Sequence, residues 1–190
     1  IAANIYKKAK QMPLISDLEI IFFNSLPKEN FGYNNIQDYK LKTAIFDNAL
    51  QGMSKLNPDL ILIACNTLSV IYNSTTYSSG PLHKVKGIIE AGVSLAFNNI
   101  YNTPNKLIIL GTPTTITSDI HKKMLIERGV KEENIISQAC KNLESEIQIN
   151  SYSEKVEALI YQYLNNAVTE PDKNIRYYIL LGCTHYEYSL

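Results

Sequence analysis

The chain has 190 residues, 18 basic and 18 acidic, and therefore no formal net charge. At about 100–200 residues per domain the length allows one full domain or two small lobes. A hydrophobic share of 45% against 19% charged residues supplies a core and excludes a disordered tail. Balanced charge argues against a nucleic-acid partner, which would need a basic face. No apolar run approaches the ~18–20 residues that span a bilayer, so no membrane partner is expected either. Three widely spaced cysteines make no disulfide framework, and the odd count leaves at least one thiol free. These features predict a soluble, cytoplasmic α/β protein.

Ile1, Ile5 and Ala9 recur every four residues, the apolar spacing of a helix. An α/β chain that opens on a helix without an initiator Met reads as a fragment whose first strand is missing. Residues 19–23 are expected to form a short strand, followed by a polar loop over 24–35 containing Pro27 and Gly32. The pattern predicts a helix over 38–56, stopped by Asn57-Pro58 because the residue before a proline disfavours helical geometry. Residues 60–64 are a continuous apolar run, expected to be a strand buried on both faces. A helix could begin at 69–72, before a loop rich in Ser, Thr, Gly and Pro over 73–83; a weaker strand at 85–89 and a short helix at 91–98 follow.

The linker-like Asn102-Thr103-Pro104-Asn105 sets a lobe boundary near 97–104, giving an N-terminal lobe over 1–97 and a second lobe over 98–190. In the second lobe a buried strand at 106–110 ends in Gly111-Thr112-Pro113. Ser118 or Asp119 can cap a helix running to about Arg128, with Gly129 as its stop. Ile135 and Ile136 fit a short strand, 154–168 a clear amphipathic helix, and Pro171-Asp172 turns the chain into a last strand over 176–181. Strands alternating with helices predict parallel sheets covered by helices.

A quieter symmetry runs through this pattern. Leu60-Ile61-Leu62-Ile63-Ala64-Cys65-Asn66-Thr67 and Tyr178-Ile179-Leu180-Leu181-Gly182-Cys183-Thr184-His185 share one plan: an apolar strand, a small residue, a cysteine, then hydroxyl, amide or imidazole groups. Ligands of open α/β sheets bind beyond the carboxyl ends of strands, where both cysteines fall. Asn66, Thr67, Thr184 and His185 would be unpaired polarity in a core, and a ligand with a carboxylate and an ammonium would pair them. Cys140 lacks such a setting and reads as a small buried hydrophobe.

Three chemistries can use the set. A Cys–His nucleophile acts in acyl transfer but needs one cysteine. Cys65, Cys183 and His185 could ligate a metal, although no Cys-x₂-Cys or His-x₃-His spacing supports it, so no metal is expected. The third is proton exchange between two bases, one thiol on each face of a carbon acid. A neighbouring histidine or a helix N-terminus lowers a thiol pKa, so both thiols are expected to react well below the ordinary value of ~8.5.

Ile63-Ala64-Cys65-Asn66-Thr67 with Leu181-Gly182-Cys183-Thr184-His185-Tyr186 resembles the paired signature of the aspartate/glutamate racemase superfamily, most of all its glutamate racemase branch. Between them Gly111-Thr112-Pro113-Thr114-Thr115-Ile116-Thr117-Ser118 resembles that family's G-T-x-x-T-I-x-S segment, and the likeness runs from Ile20 onward. The resemblance implies two flavodoxin-like or Rossmann-like α/β lobes with parallel sheets, related by a pseudo-twofold, with the active site in the cleft between them. It implies a racemase independent of pyridoxal phosphate, using no cofactor and no metal, for an acidic amino acid, glutamate before aspartate, in peptidoglycan precursor supply. By position Cys65 and Cys183 would be the acid/base thiols and His185 would assist Cys183. Asn66, Thr67, Thr112, Thr115, Thr184 and the backbone of Gly32 would hold the substrate.

The chain departs from the family pattern in several places. Nothing corresponds to the Asp-Ser pair that ends the family's first strand. The family's Tyr-Gly element is Phe31-Gly32 here, and its preceding acidic residue falls near Ser25. A glutamate that supports the histidine falls near Gln148, with Glu144 or Glu146 as alternatives, and Glu187 stands where proline is usual. The altered loop at Ser25, Asn30 and Phe31 keeps a second function open, a non-catalytic relative that binds an amino acid or a protein partner. Hydantoin racemase or maleate isomerase-like chemistry is open to the same scaffold. Apolar surface left by a missing strand would favour self-association into a homodimer.

Overall fold

In the computed structural model, which describes residues 2–13, 17–26 and 31–189, two parallel sheets form around the apolar runs of the sequence. Helix α1 (Ala2–Ala9) and helix α2 (Tyr39–Ser54) precede the first sheet. Asp38 caps α2, its carboxylate accepting from the amides of Lys40 and Leu41 at 2.8 and 3.2 Å. Strand β1 (Leu60–Ile63) pairs in parallel with β2 (Lys84–Gly87), and helix α3 (Asn66–Tyr72) links them. Ile61 and Ile63 meet Phe46, Leu50 and Ile71 in one core.

Strand β1 is not buried on both faces: Leu60 and Leu62 are 41% and 50% exposed. Its apolar run was long enough for a two-sided strand, but α2 and α3 cover one face only. The expected strand at 19–23 is likewise absent, and Ile20, Ile21, Phe22 and Phe23 are exposed. A strand needs a ladder partner, and among the described residues none runs beside this segment. Asn30 of the altered loop lies outside the described residues.

Helix α4 (Ile89–Ile100) leads to the second sheet, formed by β3 (Lys106–Gly111), β4 (Ile135–Ala139) and β5 (Tyr177–Gly182) in the order β4-β3-β5, all parallel. Central β3 is the fully covered strand. Its Leu107 and Ile109 pack with α4 and with α6 (Ile120–Glu127). Ile108 and Leu110, on the opposite face, pack with α7 (Leu143–Ile149) and α8 (Glu154–Ala167). Period-two alternation thus feeds two separate cores from one strand. Helix α4 takes its apolar partners from this second sheet, and the Arg128 guanidinium reaches back to Ser94 and Glu90 on it.

Helix boundaries moved where local chemistry outweighs periodicity. Helix α3 begins at Asn66 rather than near Ser69, with Cys65 as its N-cap residue, and α4 is longer than 91–98. Helix α5 (Pro113–Ser118) has no apolar stripe to announce it; Thr112 caps it by accepting from the amide of Thr115 at 3.3 Å. Gly129 ends α6 with φ +91°, the left-handed conformation glycine tolerates. Among the described residues no helix is long and apolar enough to cross a membrane.

Candidate active site

Three strand ends converge. Parallel strands leave their sheets at the same edge, so Cys65 after β1, Thr112 after β3 and Cys183 after β5 all sit at carboxyl ends. The seam between the sheets is closed by hydroxyls: Thr67 Oγ1 lies 2.9 Å from Thr112 Oγ1 and 3.4 Å from Thr115 Oγ1, and Thr112 and Thr115 are 3.0 Å apart. All three threonines are buried. Each hydroxyl both donates and accepts, so the triangle satisfies itself and can re-pair with a carboxylate.

Asn66 is buried beside them, with His121 Nε2 3.1 Å from its Oδ1. An amide oxygen can only accept, so the imidazole carries its proton on Nε2. Burial pushes His121 down to about 4, keeping it neutral in this role. Sequence reasoning missed His121; its signal was a lone imidazole in an otherwise apolar stripe with Ile120 and Leu125.

The two thiols share one electrostatic neighbourhood. Burial pushes the Cys183 thiol up to about 12; the His185 backbone amide opposes the rise, and Cys65, Glu144 and Cys140 add to it. Burial also pushes Cys65 up, against the backbone amides of Leu68 and Thr67 and the Thr67 hydroxyl. Both expected thiol shifts are therefore reversed. His185 Nδ1 is 3.8 Å from Cys183 Sγ, but in the ligand-free protein desolvation outweighs it. Thr184 is half-buried in the turn between them.

Cys140 is fully buried, as expected, with a thiol pushed up to about 12 by burial. Of the candidates on α7, Gln148 is exposed and Glu146 pairs with Lys155 at 2.6 Å. Glu144 is buried: Ser145 donates to its Oε1 at 3.2 Å, while Oε2 has no partner. Its charge acts on Cys140, Cys183 and Tyr186, so it belongs to the Cys183 side of the site.

Gly32 stands at the start of a short 3₁₀ turn, Tyr33–Asn35, and its amide donates to Asn35 Oδ1 at 2.7 Å. The next residue, Tyr33, sets its ring edge-on against Phe46 at 6.4 Å. Its hydroxyl is buried. Burial pushes this phenol up, the Ser25 hydroxyl acts against that, and Cys65 adds to it, which places Tyr33 by the first thiol. Among the described residues no three His, Cys, Asp or Glu side chains are grouped to hold a metal ion.

Residues 4–188 match the family model described as Asp/Glu/hydantoin racemase. The chain is 25% identical over 168 residues to the glutamate racemase of Campylobacter jejuni, covering 88% of this chain and 63% of that protein. It is 30% identical over 128 residues to that of Streptococcus gordonii, covering 67% and 45%. The crystal structure of glutamate racemase from Francisella tularensis in complex with D-glutamate superposes with a TM-score of 0.68 at 26% identity, over 84% of this chain and 57% of that one. Picrophilus torridus aspartate racemase shares the fold, with a TM-score of 0.62 at 17% identity over 99% and 78% of the two chains. The chain thus spans 45% to 63% of the length of these two curated relatives.

Proposed function

The chain belongs to the Asp/Glu/hydantoin racemase family, and from that membership we propose that it is a cofactor-independent isomerase inverting the α-carbon of an acidic amino acid, glutamate before aspartate. The observation that carries this reading is the pair of thiols at matched strand ends, Cys65 directly after β1 and Cys183 directly after β5. In the proposed reaction one thiolate takes the α-proton: its S–H bond forms, the C–H bond breaks, and the electron pair spreads into the α-carboxylate. The opposite thiol then delivers its proton to the other face, and the two cysteines have exchanged protonation states. His185 would move the proton at Cys183 Sγ.

Asn66, Thr67, Thr112, Thr115 and Thr184 would hold carboxylates and ammonium, with the backbone at Gly32 at the near end. Their donors matter because an amino acid's α-proton is weakly acidic, and charge developing on the carboxylate must meet preorganised partners. The substrate ammonium, arriving in a dry site, would bring the raised thiol pKa values down, so thiolate would form with the ligand rather than before it. This reading keeps two lobes with the cleft between them, although the expected boundary at 97/98 falls inside α4, whose Ile89, Val93 and Ala96 pack in the core of the second sheet. It also keeps D-glutamate for peptidoglycan as the product's use. A second reading, a binding relative without turnover, is motivated by the altered loop at Ser25, Asn30 and Phe31 and by the exposed Gln148.

Proton NMR in D₂O with both enantiomers of glutamate and of aspartate tests the proposal. The expected result is α-proton loss from both enantiomers of one amino acid. Cys65→Ala and Cys183→Ala should each abolish racemisation, while either variant can still catalyse one-sided elimination on a suitable analogue. A single variant that racemises normally would refute the pairing, and no exchange from any of the four would leave the binding reading.

A further inference from the structure

Helix α2 buries Lys42, Phe46, Ala49 and Leu50, the i, i+4, i+7, i+8 stripe of an amphipathic helix, with a lysine where an apolar residue belongs. Lys42 is only 5% exposed. Its Nζ donates to Thr114 Oγ1 at 3.0 Å, across the seam between α2 and α5. Among the described residues no carboxylate lies within ion-pair distance of it. An ammonium has three donors, and here one neutral oxygen answers them. An unpaired buried cation is strongly destabilising, and an anion would complete it. Thr114 is the chain neighbour of Thr115, whose hydroxyl belongs to the triangle with Thr67 and Thr112. One turn along the same face of α2, Phe46 carries the Tyr33 ring, whose buried hydroxyl lies by Cys65. Lys42 thus stands as an undersupplied donor in the wall of the seam that α2 forms.

We propose that Lys42 is the specificity-determining residue of this site, its ammonium and the Thr114 hydroxyl receiving the side-chain carboxylate of an acidic substrate. The inference rests on the racemase reading for the word substrate, but the anion subsite it names is separable from turnover. A carboxylate supplies two acceptor oxygens, one for the ammonium and one for a neighbouring hydroxyl, which a neutral side chain cannot do.

Titration calorimetry with glutarate, a dicarboxylate without an α-amino group, tests this on the full chain, with butyrate as the one-carboxylate control. Glutarate should bind wild type, and Lys42→Met should weaken it at least about tenfold while butyrate binding changes little. Lys42→Arg, which keeps the charge, should stay within a few-fold of wild type and serves if the methionine variant fails to fold. In the exchange assay the same loss should fall on KM for the acidic amino acid more than on kcat. Undetectable glutarate binding to wild type, or equal glutarate affinity in a folded Lys42→Met protein, would overturn the proposal. Lys42-dependent glutarate binding with no α-proton exchange from any amino acid would sink the racemase reading and leave the anion subsite standing.

Discussion

At pH 8 a cysteine with a pKa of about 12 holds about one thiolate in ten thousand molecules, against about a quarter for an ordinary thiol of ~8.5. Because only the thiolate alkylates, Cys183 in the ligand-free protein should react with iodoacetamide on the order of a thousandfold more slowly than free cysteine. Its rate should climb about tenfold per pH unit through pH 10 without a plateau. The assay is timed alkylation of the native protein across pH 7–10, read at the Cys183 peptide by mass spectrometry. Burial is the main cause of the rise, followed by Cys65 and then Glu144; Glu144→Gln removes that last charge and should speed the reaction at every pH. The same desolvation has a sign in stability. Folding raises the Cys183 pKa, so its contribution is complete below the unfolded value and is lost as pH rises from about 8.5 towards 12. A plateau near pH 8–9, or a rate like that of free cysteine, would refute the desolvation argument and restore the activated thiol expected from its neighbouring histidine.

His121, held down to about 4 by burial, stays neutral where an unfolded histidine would be protonated. Stability should therefore fall as pH drops from about 6.5 to 4, by roughly 3 kcal/mol. Chemical denaturation of wild type and His121→Gln across that range should show the slope flattened in the variant. The Asp47 carboxylate accepts from Gln51 Nε2 at 3.0 Å, Thr76 Oγ1 at 2.6 Å and the Tyr77 amide at 2.8 Å. Burial works to raise its pKa, but these bonds outweigh it and hold the acid below its ordinary value. Asp47→Ala should cost about 3 kcal/mol in the same assay. The wild-type contribution should be present above about pH 4 and fade as acid protonates the group.

The second sheet was legible because its strands carry their own signals: four consecutive apolar residues in β3, a proline turn before β5, and glycine after α6. The first sheet was less so. An apolar run states how much surface a strand can bury, not how many faces its neighbours cover, and β1 keeps Leu60 and Leu62 outward. Short helices α5 and α7 escaped because one or two turns leave too few residues for a period to repeat, and α5 is defined by the Thr112 cap instead. The cysteines, threonines and Asn66 of the site were readable as polar groups after strands. Lys42 was not, since a lysine looks like a surface residue until the helix face it occupies is known to be inside, and His121 offered only a lone imidazole beside apolar neighbours. The thiol pKa values were misjudged for the same reason: a neighbour two residues away is visible in sequence, whereas desolvation is a property of the packed whole.

Glycine explains why the site can form between β3 and β5 at all. Gly111 and Gly182 are register partners at the last rung of these strands. A Cβ on Gly182 would stand 2.8 Å from the Leu110 carbonyl oxygen, and one on Gly111 would stand 3.0 Å from the Ile116 side chain. Any side chain at Gly182 would push the backbones apart at the point where Thr112 and Cys183 leave the sheet. At Gly111 the small residue leaves room for the Ile116 side chain, and at Gly182 the small residue before the reactive group is therefore a demand of close backbone approach. It brings the hydroxyl-bearing turn after β3 and the thiol turn after β5 to one edge, where the hydroxyls already span the seam to Thr67 and so to the Cys65 loop.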